Sequence, residues 1–180
     1  MRLQGLSTML FACGVLAAGA ATTEPPPVGW RPGSEDWQPP ASLTLTLRAQ
    51  QDVKGWLSAS RPILTIRCSR GQPAVYMETG VPLEVTPVDQ QIVRLRLDGS
   101  DFRSEIWREV SNWTLSSRHP ARLLGEMMRS RRLIVEFTPF GSPPAQAEFA
   151  VNGLAGYSRA LSASCATQWP ADGTLQENGK

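Results

Sequence analysis

The sequence predicts the α+β fold class: a mostly antiparallel β-sheet or sandwich with two helices and one intramolecular disulfide. Several segments alternate apolar and polar residues with the period of a half-buried strand. Two other segments, which begin near Pro120 and Gly153, repeat their apolar residues at helical spacing. The strands follow one another across short turns, which favours antiparallel pairing. A β-sandwich decorated by a single helix is the alternative.

Composition indicates one globular domain. The chain has 180 residues, of which 41% are hydrophobic and 19% are charged, so a single core is expected and extensive disorder is not. The formal net charge of +2 lacks the basic excess of nucleic-acid-binding domains, and no nucleic-acid partner is expected. One His and three Cys exclude His-rich and multi-cysteine zinc sites. No cofactor and no metal are predicted.

Residues 1–20 have the pattern of a secretory signal peptide. Arg2 precedes a short run of apolar and small residues, and Ala18 and Ala20 occupy the −3 and −1 positions of a cleavage site. In a second interpretation, residues 10–14 resemble a lipobox, and Cys13 would become the acylated N-terminus. Both routes export the protein, so a periplasmic location is predicted. A membrane contact is expected only if Cys13 is acylated.

The two remaining cysteines, Cys68 and Cys165, form an even pair in an exported chain. In an oxidising compartment such a pair predicts a disulfide, which would close a loop across most of the folded region. Two buried free thiols are the alternative. Cys68 falls on the inner face of a predicted strand and Cys165 at the inner end of the last helix. The two sulfurs can therefore meet only if that helix packs on that strand.

The mature chain is predicted to begin with a proline-rich leader, residues 21–40. It holds six prolines and no periodic apolar pattern, which indicates an extended segment rather than a core element. Trp30 and Trp37 are candidates to pin this leader to the body, because large aromatic side chains are costly to leave in water. A single globular domain is predicted over residues 41–169, and the polar residues 170–180 are predicted to form a flexible tail.

The predicted strands are bounded by turn residues, and residues 50–55 are expected to be a polar connection. The clearest alternation places Val93, Leu95 and Leu97 inward, with Arg94 and Arg96 outward. The predicted strands cover residues 43–47, 63–68, 74–78, 92–98, 102–110, 113–117, 133–137 and 147–151.

Proline marks the start of the first predicted helix. Pro120 suits the first helical turn because its φ is fixed and it lacks an N–H donor. Leu123, Leu124, Met127 and Met128 fall on one helical face, which is interpreted as core. The second helix is predicted to follow Asn152-Gly153, and its apolar face leads to Cys165.

No catalytic constellation is evident in the sequence, and no catalytic residue is predicted. The single His119 precedes a helix start and is interpreted as an exposed loop residue rather than a base or pH switch. Asp98 and Asp101 flank a turn and are interpreted as turn residues rather than calcium ligands. The basic cluster at residues 129–132 is interpreted as a helix end and solvated turn rather than a phosphate or lipid site.

Aromatic residues in the alternating segments are the other candidates for a binding face. Trp107 and Trp113, with Phe102, could belong either to the core or to an exposed surface, and the core is favoured.

Several stretches taken together resemble the VasI family of type VI secretion-associated proteins. The first are RPILTIRC (residues 61–68), AVYM (74–77) and VRLRLD (93–98), followed by Trp107. The later ones are LIVEFTPF (133–140), AEFAVNGL (147–154) and the closing Cys165 with Trp169. The resemblance covers residues 42–169.

The resemblance implies an exported, non-enzymatic accessory protein of a contractile injection machine, with no catalytic residues to carry over. Its expected partner is a protein, either a component of the secretion apparatus or an effector. The alternative is a periplasmic inhibitor or immunity protein that binds an effector or a cell-wall enzyme.

Overall fold

A computed structural model describes residues 29–32, 42–84 and 86–165. The signal-peptide prediction, Cys13, Trp37, Trp169 and the predicted tail all lie outside these ranges. Among the described residues, no helix is both long and apolar enough to cross a bilayer.

Strands make up just under half of the described residues, and the helices come late in the sequence. The strands are β1 Arg31–Pro32, β2 Leu43–Arg48, β3 Val53–Lys54, β4 Ala59–Ser60, β5 Ile63–Ser69, β6 Gln72–Glu78, β7 Gln90–Leu97, β8 Arg103–Ser111, β9 Thr114–Ser117, β10 Arg132–Phe137 and β11 Ala145–Ala150. The helices are α1 Pro120–Met128, a 3₁₀ turn Leu154–Tyr157 and α2 Ser158–Cys165.

Nine of these strands form one antiparallel sheet in the order β1-β2-β5-β6-β9-β8-β7-β10-β11. The hairpin β5–β6 pairs Ile66 with Val75, and β7–β8 pairs Ile92 with Ile106. The sheet rolls up, because the backbone N–H of Gln50, just after β2, donates to the carbonyl of Glu148 in β11 at 2.7 Å. This contact brings the two sides of the sheet together around one core. The predicted α+β class with a mostly antiparallel sheet is confirmed.

The core fills the concave side of the rolled sheet, and helices α1 and α2 cover one end of it. Alternation along the strands sends every second side chain inward. Most residues predicted to face the core are buried, including those of α1, whereas Leu43, Leu97 and Tyr157 are only partly buried and pack against it. The largest fully buried side chains are Trp107, Phe137, Phe149, Leu45, Leu64, Ile66, Met77, Leu83, Leu95, Leu115, Leu123 and Leu124.

The disulfide joins Cys68 of β5 to Cys165 at the end of α2, and both residues are fully buried. Their Cα atoms are 4.9 Å apart, within the range that a disulfide spans. Helix α2 packs on β5, which is the arrangement that the cysteine positions required. The predicted pairing is therefore confirmed.

Three local predictions differ from the structure. Trp30 is buried, as expected of a residue that pins the leader to the body, but the leader was expected to be an extended segment outside the sheet, and Arg31–Pro32 instead pairs with β2. Residues 50–55 are not a plain polar connection, since Val53 is buried and starts the small hairpin β3–β4. The segment after Gly153 begins as a 3₁₀ turn and becomes α-helical only at Ser158.

Candidate functional site

Exposed apolar side chains gather at the end of the sheet that lies opposite the helices. Trp56 and Leu57 occupy the tip of the β3–β4 hairpin and are 67% and 80% exposed. Trp113, in the β8–β9 turn, is 44% exposed, and Phe140, after β10, is 48% exposed. We call these four residues the apolar rim. Three separate loops contribute to it, so its assembly depends on the fold and not on one sequence segment.

The loop of residues 79–83, which follows β6, contacts all three rim segments. The backbone N–H of Thr79 donates to the carbonyl of Trp113, and that of Leu83 donates to Asn112, both at 2.8 Å. The N–H of Phe140 donates to the carbonyl of Pro82 at 2.8 Å. These three bonds tie two of the rim loops, the β8–β9 turn and the loop after β10, to the same support.

The hairpin tip packs closely against Val81. A β-carbon added to Gly55 would lie 3.0 Å from Cβ of Val81, so a larger residue would fit only if the Val81 side chain shifted. On the other side, Trp56 lies beside Gly141, which adopts φ +62° in the loop that carries Phe140. The fully buried Thr79 donates its hydroxyl to the carbonyl of Val81 at 2.7 Å. The rim is thus carried on buried, hydrogen-bonded backbone, as a preorganised binding surface requires.

Charge around the rim is mixed. Lys54 is exposed beside the hairpin tip, and Arg61 pairs with Asp52 at 2.8 Å. Glu84, directly after the supporting loop, is exposed. A surface that binds anionic lipid presents a cluster of cations, whereas this one balances them with carboxylates.

A cluster of charged side chains lies at the helical end of the sheet. Glu105 of β8 points inward, and its side chain is only 5% exposed. Its Oε1 accepts from Arg122 Nη2 at 2.6 Å and from Arg103 Nε at 3.0 Å, while its Oε2 accepts from the indole N–H of Trp107 at 3.2 Å. Arg103 also donates to Glu126 of α1. We call Arg103, Glu105, Arg122 and Glu126 the charged network.

The charged network fastens α1 to the sheet. Burial opposes the charge on Arg103, but hydrogen bonding and charge attraction from Glu126, followed by those from Glu105, outweigh it and raise the pKa of Arg103 above its ordinary value. A raised arginine pKa keeps the cation in place throughout the accessible pH range. Since both oxygens of Glu105 already accept hydrogen bonds, the geometry favours a structural role for this carboxylate over proton transfer.

Among the sequence candidates for chemistry, Asp98 lies against the basic cluster at residues 129–132. His119 is exposed at the N-cap of α1, and its side chain makes no capping hydrogen bond. Asp98 adopts φ +50°, and its Oδ1 accepts from the backbone N–H groups of Arg131 and Arg132, both at 2.9 Å. It therefore acts as a turn residue, as predicted. Asp101 is exposed next to it in the same β7–β8 connection.

The basic cluster at residues 129–132 lies where the sequence placed it, at the end of α1 and in the turn to β10. Arg129 caps the helix, and Arg132 pairs with Glu148 at 3.6 Å. Within residues 29–32, 42–84 and 86–165, no group of three or more His, Cys, Asp or Glu side chains could hold a metal ion.

The aromatic candidates divide between core and surface. Trp107 is fully buried, as favoured from the sequence, whereas Trp113 belongs to the apolar rim. Phe102 is partly buried and stacks under two guanidinium groups, with Arg94 Cζ at 4.7 Å and Arg96 Cζ at 4.6 Å from the ring centroid.

Trp56, Leu57 and Phe140 were not recognised from the sequence as binding candidates. A signal did exist for the first two: a Trp-Leu pair enclosed by Gly55 and Ser58 occupies a tight turn, where large apolar side chains have little chance to be buried. Phe140 gave no comparable signal, because it directly follows a strand whose alternate residues are core.

Comparison of the chain with models of known protein families, with curated proteins and with solved structures finds no match. The resemblance to the VasI family stays a prediction from the sequence motifs. Function is therefore inferred from the geometry of the described residues together with that resemblance.

Proposed function

We propose that this protein is an exported, non-enzymatic interaction module associated with type VI secretion, and that the apolar rim binds its protein partner. The observation that carries the proposal is the convergence of Trp56, Leu57, Trp113 and Phe140 at one end of the fold. Large apolar side chains left in water on a fixed framework are the usual signature of a binding surface.

The composition of the rim favours a protein partner. Tryptophan and phenylalanine supply large, rigid contact areas that lose little conformational entropy on binding. The mixed charges around the rim, Lys54 and the Arg61–Asp52 pair, resemble the polar border of a protein interface more than a lipid-binding surface.

The arrangement of the polar residues supports the non-enzymatic part of the proposal. The most buried carboxylate in the charged network, Glu105, is occupied by Arg103, Arg122 and Trp107. His119 stands exposed at a helix start. The type VI assignment and the periplasmic location rest on the VasI-like motifs and on the export signal.

Site-specific photo-crosslinking in the source bacterium tests the proposal. A photoreactive residue at position 57 is expected to yield a discrete adduct, and mass spectrometry is expected to identify a component of the secretion apparatus. The same residue at position 118 is the control, because Arg118 is also exposed but lies at the helical end. An adduct with a toxin or a cell-wall enzyme would support the inhibitor alternative, and equal adducts from both positions would contradict a role for the rim.

A further inference from the structure

Helix α2 is attached to the rest of the fold by very few side chains. It has eight residues, and of these only Leu161 and Cys165 are buried. Helix α1, by comparison, buries five of its nine residues. Cys165 is also the residue that the disulfide joins to Cys68 of β5. Apart from the bridge itself, a single leucine of α2 is therefore buried in the core.

A helix as short as α2 does not hold itself together. Isolated helices shorter than about 12–15 residues are marginal in water, because the first turn costs more backbone entropy than its hydrogen bonds return. Three of the residues in α2 are serines, which favour helices less than alanine or leucine does. The conformational entropy lost when eight residues become ordered exceeds what one buried leucine offsets. The helix therefore depends on its covalent attachment.

The 3₁₀ turn that leads into α2 carries a polar group that opposes packing. The hydroxyl of Tyr157 is buried and has no hydrogen-bond partner among the described residues. A buried hydroxyl without a partner destabilises the packed state relative to a state in which water solvates it. Leu154, at the start of the same turn, is fully buried. This leucine fixes the point at which a release of α2 would stop.

The sheet does not need α2 in order to close. Its two sides meet through the backbone hydrogen bond from Gln50 to the carbonyl of Glu148, and α1 packs on β6. Helix α2 instead contacts β5 and β2, where Leu43 lies opposite Cys68 in the strand register. Departure of α2 would therefore uncover Leu43 and the Cys68 end of β5 while the strands stay paired.

We propose that the Cys68–Cys165 bridge is a redox-sensitive switch. While the bridge is oxidised, α2 covers the ends of β5 and β2, and reduction by a dithiol releases α2 from an otherwise folded domain. Because both sulfurs are fully buried, the reaction requires α2 to open transiently, and its weak attachment gives the dithiol access. The uncovered surface lies at the helical end, away from the apolar rim, so the switch goes beyond the proposed function.

The reduction is a thiol–disulfide exchange in two steps. One thiolate of the dithiol attacks a sulfur of the bridge, which breaks the Cys68–Cys165 bond and forms a mixed disulfide. The second thiol of the reductant then attacks the mixed disulfide and displaces the protein sulfur. The dithiol ends as a disulfide, and its two protons end on the thiols of Cys68 and Cys165.

Hydrogen–deuterium exchange of the predicted mature protein, residues 21–180, tests the proposal with and without dithiothreitol. In the oxidised protein, the amides of Ser158–Cys165 are expected to be protected. Reduction should lower their protection at least about tenfold, whereas the amides of β7, β8 and β10 should keep theirs. The Cys68→Ala/Cys165→Ala double variant is the control for other effects of dithiothreitol, and it should exchange like the reduced wild type in both conditions. If this variant does not fold, the comparison of oxidised with reduced wild type still decides.

Three results would each overturn the proposal. Protection of α2 that persists after reduction would mean that packing alone holds the helix. Loss of protection throughout the sheet would mean that the bridge holds the whole domain rather than α2. A bridge that dithiothreitol reduces only in urea, as followed by alkylation and intact mass, would mean that α2 does not open in the folded protein.

Discussion

Removal of the disulfide is the most quantitative test of the architecture. The bridge joins residues that are 97 positions apart, so in the unfolded chain it closes a loop across most of the domain. The chain-entropy relation for a loop of this length gives about 4–5 kcal/mol of stabilisation. For a domain of this size, that free energy corresponds to a fall in Tm of about 15 °C.

Thermal unfolding, followed by circular dichroism, measures this effect in three variants: Cys68→Ala, Cys165→Ala and the double variant. Both positions are fully buried, so each single variant should lose the same bridge and a similar, small amount of packing. The double variant should be only slightly less stable than either single one, since one bridge cannot be lost twice. Reductant should lower the Tm of the wild-type protein and leave the Tm of the double variant unchanged.

Three results would refute this reasoning: strongly unequal losses in the single variants, additive losses in the double variant, or a wild-type Tm that does not respond to reductant. The first two would mean that the cysteines stabilise the fold through separate contacts. The third would mean that α2 is held on β5 by packing alone.

Three further predictions concern individual side chains and are read from the free energy of unfolding in urea. Glu105→Gln should cost about 1–3 kcal/mol because it removes the buried charge that Arg103 and Arg122 share, whereas Glu148→Gln, in a longer and more exposed pair, should cost less than about 0.5 kcal/mol. Asp98→Ala should cost about 1–2 kcal/mol, because two backbone N–H groups lose their acceptor and alanine tolerates φ +50° poorly, and Asp98→Asn should recover most of this loss. Leu57→Ser should change stability by less than about 0.5 kcal/mol, because this side chain is 80% exposed. Equal losses from the two glutamate variants, no difference between the two Asp98 variants, or a large loss from Leu57→Ser would contradict these assignments.

The strands and α1 could be predicted because one side of each faces water. Leu64, Ile66 and Cys68 alternate with more polar neighbours, and this period of two places all three inward. In α1 the buried Leu and Met side chains recur at helical spacing after Pro120. The spacing of apolar residues is enough to predict an element when one of its faces is buried and the other is exposed.

The elements that were missed are fixed by distant contacts. Val53–Lys54 is too short to show alternation, and Arg31–Pro32 forms a strand only by pairing with the edge of β2. The sheet order also departs from chain order, since β9 inserts between β6 and β8. Nothing in the local sequence determines such neighbours.

The candidate binding surfaces were the least predictable feature. In β8 the alternation is ambiguous, because either Glu105 and Trp107 or Ile106 and Val110 could face the core. The structure buries the first pair: Arg103 and Arg122 balance the charge of the buried carboxylate, the indole N–H of Trp107 donates to it, and the aliphatic pair is left outside. The apolar rim requires three loops to converge, and only the folded chain shows that they do.

The central claim, that the apolar rim binds a protein partner of the secretion machine, is tested most directly by complementation. A strain that lacks this gene would express either the wild-type protein or the Trp56→Ser/Leu57→Ser double variant, and type VI-dependent killing of a competitor would be counted. We expect the double variant to accumulate to the same level as the wild-type protein but to lose at least about tenfold of the killing that the wild type restores. Killing at the wild-type level by a variant without these two rim residues would contradict the claim.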